Sequence, residues 1–207
     1  AQVNTSIRPG WFYHPEEDDK VKPLEHLQDI YLSSVGGNAQ FLLNLPPDRR
    51  GLIHENDAAR LRELGHRLRA AFSRNLAEGA EVAVSAALRR EGVFSPQNTL
   101  DGDTSTYWMT DSEAETADLT FELSRAVTFN CAVLQEAIEI GQRIEDISLE
   151  VWEGRGWREV AQATVIGYKR VLRFEDVTTS RIRLKIRASR LSPSLAEFGL
   201  YRLGSFP

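Results

Sequence analysis

The 207-residue chain is 42% hydrophobic and 27% charged, ordinary proportions for a globular protein with a core of its own. Its formal net charge of −5 argues against a general nucleic-acid binder, which needs an excess of lysine and arginine to neutralise phosphates. No apolar run approaches the roughly 20 residues that a membrane-spanning helix requires, so no membrane partner is expected.

The chain opens with a loop-like run, residues 4–20, between a strand-like and a helix-like segment. It gathers Arg8, Trp11, Phe12, Tyr13, His14 and the acids Glu16, Glu17, Asp18 and Asp19. A flat aromatic beside short polar groups is the composition of a sugar pocket: the ring covers a pyranose face and the polar groups bind its hydroxyls. Arg8 has a second reading, as a brace paired with Asp18 or Asp19. The acidic run also reads as a solvated helix start that favours the N-terminal dipole.

Pro23 followed by Leu24, Leu27, Ile30, Tyr31 and Val35 predicts a helix with one inward face, ended by Gly36-Gly37-Asn38. Residues 41–45 are almost continuously apolar and stop at Pro46-Pro47, the pattern of a parallel strand covered on both sides. Asn56-Asp57 supplies an Asx cap for a second helix with Leu61, Leu64, Leu68, Ala71 and Phe72 inward. His54 and His66 stand too far apart along it to share a zinc ion. Strand, loop and helix in this order make β/α architecture.

Near Asn75 the helical period fades. Short β segments follow at residues 81–84, 118–123, 127–134, 147–152, 157–165, 169–174 and 182–186, with turn residues such as Gly154-Arg155-Gly156 between them. This predicts an antiparallel sandwich. Cys131, the single cysteine, has no partner for a disulfide within the chain and sits in an apolar run as a buried residue.

Several runs, in order, resemble the α-L-fucosidases of glycoside hydrolase family 29. They are Asn4-Thr5-Ser6-Ile7-Arg8-Pro9-Gly10-Trp11-Phe12-Tyr13-His14, Ser34-Val35-Gly36-Gly37-Asn38, Leu42-Leu43-Asn44-Leu45-Pro46-Pro47-Asp48-Arg49-Arg50-Gly51 and Ile53-His54-Glu55-Asn56-Asp57. The second region resembles the discoidin-like, or galactose-binding-like, jelly-roll modules. That likeness rests on Asn75-Leu76-Ala77 with Gly79, on Leu100-Asp101-Gly102-Asp103-Thr104-Ser105-Thr106-Tyr107-Trp108, on Gly154-Arg155-Gly156-Trp157 and on Ala196-Glu197-Phe198-Gly199-Leu200-Tyr201. Together they imply an α/β part followed by an all-β part: the last βα units of a (β/α)8 barrel over residues 1–74, then a discoidin-like sandwich over residues 75–207.

The resemblance implies retaining hydrolysis of terminal α-L-fucosyl linkages on fucosylated glycans, leaning to α-1,3/1,4 bonds, in an extracellular or periplasmic setting. Such chemistry uses two carboxyl groups about 5–5.5 Å apart. The family's nucleophile motif is absent from this sequence, and Gln2 stands where many relatives carry glutamate, so no catalytic residue is assigned to this chain. A barrel of about 250 residues exceeds what residues 1–74 supply. The chain is therefore expected to need an N-terminal barrel polypeptide or segment and to be inactive alone. Trp11, Arg8 and His14 are the substrate-binding candidates. Catalysis calls for no cofactor. Asp101, Asp103, Thr106 and Glu197 are candidates for a structural calcium site, the other reading being a metal-free Asx turn. The rival function is a stand-alone carbohydrate-binding module, with Tyr107 suggestive as an exposed aromatic and Trp108 read as core.

Overall fold

The computed structural model describes residues 1–85, 92–110 and 114–204. The chain forms two compact units, one made mainly of Ala1–Ser73 and the other of Arg74–Leu203.

In the first unit, β1 (Gln2–Ser6) pairs in parallel with β2 (Gln40–Asn44), and α1 (Leu24–Ser34) and α2 (Glu55–Ala71) pack with them. Pro23 sits at the cap of α1, where its missing N–H costs nothing. Asn38 turns the chain after α1 with φ of 68°, a left-handed conformation that asparagine tolerates. The cap of α2 differs from the Asx residues that the sequence favours. It is His54, whose Nδ1 accepts the Asn56 N–H at 3.2 Å, and this frees Asp57 for another task. Ile7, Leu27 and Leu64 form a small core flanked by Val21, Leu24, Leu43, Leu45 and Leu68. The strand at 41–45 is parallel as its apolar run suggests, but it is not covered on both sides. Leu42 is 46% exposed and Val3 37%, because this sheet has only two strands.

The second unit is a six-stranded antiparallel sheet plus a small two-stranded one. β3 (Glu81–Val84) pairs with β5 (Ala117–Gln135). The main order then runs β10 (Glu197–Tyr201), β5, β8 (Arg170–Ser189), β6 (Ile144–Trp152) and β7 (Trp157–Ala163). β4 (Trp108–Met109) pairs with β9 (Ser194–Leu195). Four of the short strands read from the sequence are halves of two long ones. Residues 118–123 and 127–134 both lie in β5, and 169–174 and 182–186 both fall largely in β8. Exposed Ser124, Arg125 and Ala126 look like a turn, yet the β5–β8 ladder resumes beyond them at Val127 and Thr179 after a register shift.

The core of this unit holds Trp108, Phe121, Phe129, Ile147, Leu184 and Phe198, with Phe121 and Phe198 stacked at 3.8 Å between ring centroids. Cys131 is fully buried, and burial pushes its thiol up to about 12. A buried acid organises one end of the sheet. The Glu136 carboxylate accepts the N–H groups of Arg143 (2.8 Å), Ile144 (3.0 Å) and Gly167 (2.6 Å), which pins the turn that leads into β8.

Candidate functional site

The run after β1 forms a loop that returns through a short 3-10 turn at Pro15–Glu17. Two of its large apolar side chains project outward, Trp11 at 51% exposure and Phe12 at 79%. Trp11 is therefore not packed beneath the loop. The end of β2 holds it in place: Asn44 Nδ2 donates to the Trp11 carbonyl at 3.0 Å and to Ser6 Oγ at 3.1 Å. Lys22 Nζ closes the loop's base by donating to the carbonyls of Ser6 and Arg8. His14 is exposed, precedes the 3-10 turn, and offers its backbone carbonyl to Arg8 at 3.4 Å.

Arg8, a candidate for binding sugar hydroxyls, lies under the loop with no exposed surface. Its Nε donates to both Asp57 oxygens at 2.8 and 3.1 Å, and its Nη1 to Asp18 at 3.0 Å, while the Tyr13 ring covers the guanidinium at 4.9 Å. Burial pulls the pKa of Arg8 down, but the bonds to Asp57 and Asp18 outweigh it and the net direction is up. Of the two partners proposed from sequence, Asp18 is used and Asp19 is not, and Asp57 is the larger surprise. Asp18 also accepts from Tyr13 Oη at 3.3 Å and lies 3.3 Å from His54 Nε2. With Nδ1 accepting at the α2 cap, a neutral His54 carries its proton on Nε2, the nitrogen nearest Asp18. Asp18, one-third exposed, is thus a hub that accepts from both Arg8 and Tyr13.

A second polar knot fixes the β2–α2 connection. Arg50 bonds Asp48 Oδ2 at 2.6 and 2.9 Å and Glu55 at 2.8 and 3.0 Å. Asp48 also accepts the N–H groups of Arg50 and Leu52. The bond from Arg50, helped by these amides, pulls Asp48 down to about 2.

In the second unit, residues 101–106 form a tight turn closed by its own side chains. Thr106 Oγ1 donates its one proton to Asp101 Oδ2 at 2.5 Å, with the Asp103 carbonyl also within 3.0 Å. Asp101 Oδ1 accepts the Asp103 N–H, and Asp103 Oδ1 accepts from Ser105. Glu197 approaches from β10. Its Oε1 is buried with no partner, and its pKa is pushed up to about 7, first by burial and then by Asp101 and Asp103, against a bond from the Gly102 amide. Among the described residues no three His, Cys, Asp or Glu side chains form a ready metal cluster. An all-oxygen set with an orphaned buried carboxylate oxygen nonetheless fits a hard cation, which would use main-chain and hydroxyl oxygens as well. Trp108 is fully buried, and Tyr107 packs on Phe94 at 5.0 Å.

Residues 81–198 match the family model of the F5/8 type C domain. The chain belongs to that family. Ahead of this F5/8 type C domain, residues 2–71 match the alpha-L-fucosidase family model. The chain is 39% identical to Alpha-L-fucosidase 1 of Arabidopsis thaliana over 97% of its own length and 40% of that protein's. It is 36% identical, with a TM-score of 0.94, to a Bacteroides thetaiotaomicron protein solved as a candidate alpha-L-fucosidase, covering 100% of this chain and 46% of that one. A Ruminococcus gnavus GH29 fucosidase in complex with fucose is 30% identical, with a TM-score of 0.90, covering 97% of this chain and 40% of that one. The chain therefore spans less than half the length of these relatives.

Asp57, Asn44 and Lys22 escaped the reading of sequence because each sits in a pattern with a simpler local use: a helix start, the end of an apolar strand, and a charge beside a proline.

Proposed function

We propose that this chain is the C-terminal portion of a retaining exo-α-L-fucosidase, acting on terminal α-L-fucosyl linkages with a preference for α-1,3/1,4 bonds. The observation that carries the reading is that one relative named as a fucosidase aligns with 97% of the chain, across both units in the same order. A stand-alone binding module would be matched through the F5/8 type C domain only. In this reading Trp11 covers the apolar face and methyl group of fucose, and His14 lies toward the rest of the glycan. Arg8 then acts from below, holding the loop through Asp57 and Asp18. The nucleophile comes from an N-terminal barrel segment. Support for that comes from the two-stranded parallel sheet, whose exposed Val3 and Leu42 suit cover by further β/α elements.

We also propose that Asp101, Asp103, Thr106 and Glu197 hold a structural calcium, which would neutralise the charge that now disfavours ionised Glu197.

The test pairs the 207-residue chain with a separately expressed barrel segment of a close relative. The chain alone should not turn over 4-nitrophenyl α-L-fucoside, and the reconstituted enzyme should. Trp11→Ala in the reconstituted enzyme should weaken inhibition by fucose itself by about tenfold, from loss of roughly 1–3 kcal/mol of apolar contact. Turnover by the isolated chain would refute the split of roles, and unaltered fucose inhibition would return Trp11 to a structural part.

A further inference from the structure

We infer that Phe12 is a specificity-determining residue, whose ring forms the platform for the sugar that carries the fucose. The inference rests on the fucosidase reading and adds to it the recognition of the leaving group. Its place in the fold suits a substrate. β1 and β2 run parallel and in register, Ser6 beside Asn44, so the loops that follow them leave the same carboxyl edge of the sheet. That edge is where β/α folds hold their ligands. The two loops are also tied to each other. The Tyr13 ring of the first stacks on the His54 ring of the second at 6.1 Å, and Asn56 Nδ2 donates to the Asp18 carbonyl at 2.6 Å. Just before that junction each loop shows apolar side chains, Trp11 and Phe12 in one and Leu52 and Ile53 in the other, all exposed.

Phe12 is the most exposed of the large apolar side chains among the described residues. A loose chain does not explain this, because the residues on both sides of it are fixed. Asn44 holds the Trp11 carbonyl at 3.0 Å. Tyr13 meets the Arg8 guanidinium at 4.9 Å and the His54 ring, and its hydroxyl donates to Asp18. The Phe12 backbone is therefore clamped before and after, and the loop holds the ring out in water. A flat ring with few rotatable bonds, on a backbone already ordered, loses little entropy when a ligand covers it.

Chain order sets the occupant. Trp11 covers fucose and His14 lies toward the rest of the glycan in the functional reading, and Phe12 stands between them. A pyranose joined to fucose offers a C–H face that an uncharged aromatic ring can cover, with its hydroxyls left to water and polar groups. Binding energy from this remote ring would then be used to position the bond that breaks. Cover by the N-terminal barrel segment is the competing use of Phe12, and it predicts a different result: weaker assembly, with selectivity unaltered.

The reconstituted enzyme tests this with two substrates. One is α-L-fucosyl fluoride, whose leaving group has no ring, and the other a trisaccharide with fucose α-1,3-linked to N-acetyllactosamine. Phe12→Ala should lower kcat/KM on the trisaccharide about tenfold, and about fivefold or more beyond any loss on the fluoride. Phe12→Leu, apolar but not flat, should show the same selective loss, and Phe12→Trp should keep the selectivity. Trp11→Ala should depress both substrates alike, since both carry fucose. Free N-acetyllactosamine should inhibit hydrolysis of the fluoride, about tenfold more weakly in Phe12→Ala. Equal losses on the two substrates, or no loss on the trisaccharide, would overturn the inference and leave the fucosidase reading standing. So would a Phe12→Ala chain that no longer assembles with the barrel segment. If the wild-type assembly hydrolyses neither substrate, both readings fall.

Discussion

Asp57→Ala tests how the Trp11 loop is held. Both ends of the Arg8–Asp57 pair are fully buried, so the substitution strands a guanidinium where water cannot replace the lost carboxylate. Arg8 Nη2 already lacks a partner, and the variant would add Nε as a second orphaned donor. Breaking a buried pair by removing one partner costs about 3–5 kcal/mol. Asp18 remains 3.0 Å from Nη1 but is one-third exposed, so it compensates in part and the lower end, about 3 kcal/mol, is expected. The reporter should belong to the first unit, because a chain of two units does not guarantee one unfolding transition. The Lys22 amide, bonded to the Ile7 carbonyl at 2.9 Å across the loop's base, is suitable. Its hydrogen exchange should accelerate about a hundredfold in Asp57→Ala, less in Asp57→Asn, and only a few-fold in Asp18→Ala. An effect of Asp18→Ala as large as that of Asp57→Ala would refute the assignment of Asp57 as the principal anchor.

Asp48 is held at about 2, below its unfolded value, so its stabilisation is complete above pH 4 and is lost as pH falls toward 2; Arg50→Ala should flatten that acid limb in a melting-temperature profile. Glu197 has the opposite sign: its folded pKa of about 7 lies above the unfolded value, so without a divalent cation the sandwich should lose stability as pH rises from 4.5 to 7. Calcium at pH 8 should restore the melting temperature, chelator should reverse this, and Glu197→Gln should remove both responses; a calcium-insensitive melt at pH 8 counts against the site. Cys131, with its thiol near 12, should resist a disulfide reagent at pH 8 in the native protein and react once unfolded.

Local rules carried the sequence a long way where the signal was itself local. Alternation along Ile182, Leu184 and Ile186 marks an inward face, and all three are buried. The Gly-Gly-Asn run ends α1 with Asn38 at positive φ. The misreadings share one cause, competition from distant partners. Asp57 looks like a cap by position, but its partner Arg8 lies 49 residues away, and no periodicity reports that distance. Ser124 to Ala126 look like a turn because the ladder that carries β5 past them belongs to β8.

The electrostatics of the first unit also bear on where catalysis resides. A retaining glycosidase needs one carboxyl group that keeps its proton near neutrality, which requires a raised pKa from an apolar or like-charged setting. The shifted carboxylates of this unit, Glu25, Asp48 and Glu55, all move down, each stabilised as an anion by backbone amides or arginine. Asp18 and Asp57 are bonded to Arg8, and these bonds orient the loop. Gln2, on β1, has no proton to donate as an acid. Asp18 and Asp57 thus serve to fix the loop that carries Trp11. The proposed fucosidase reading, in which proton donor and nucleophile come from β/α elements beyond these two strands, is consistent with the downward shifts of Glu25, Asp48 and Glu55.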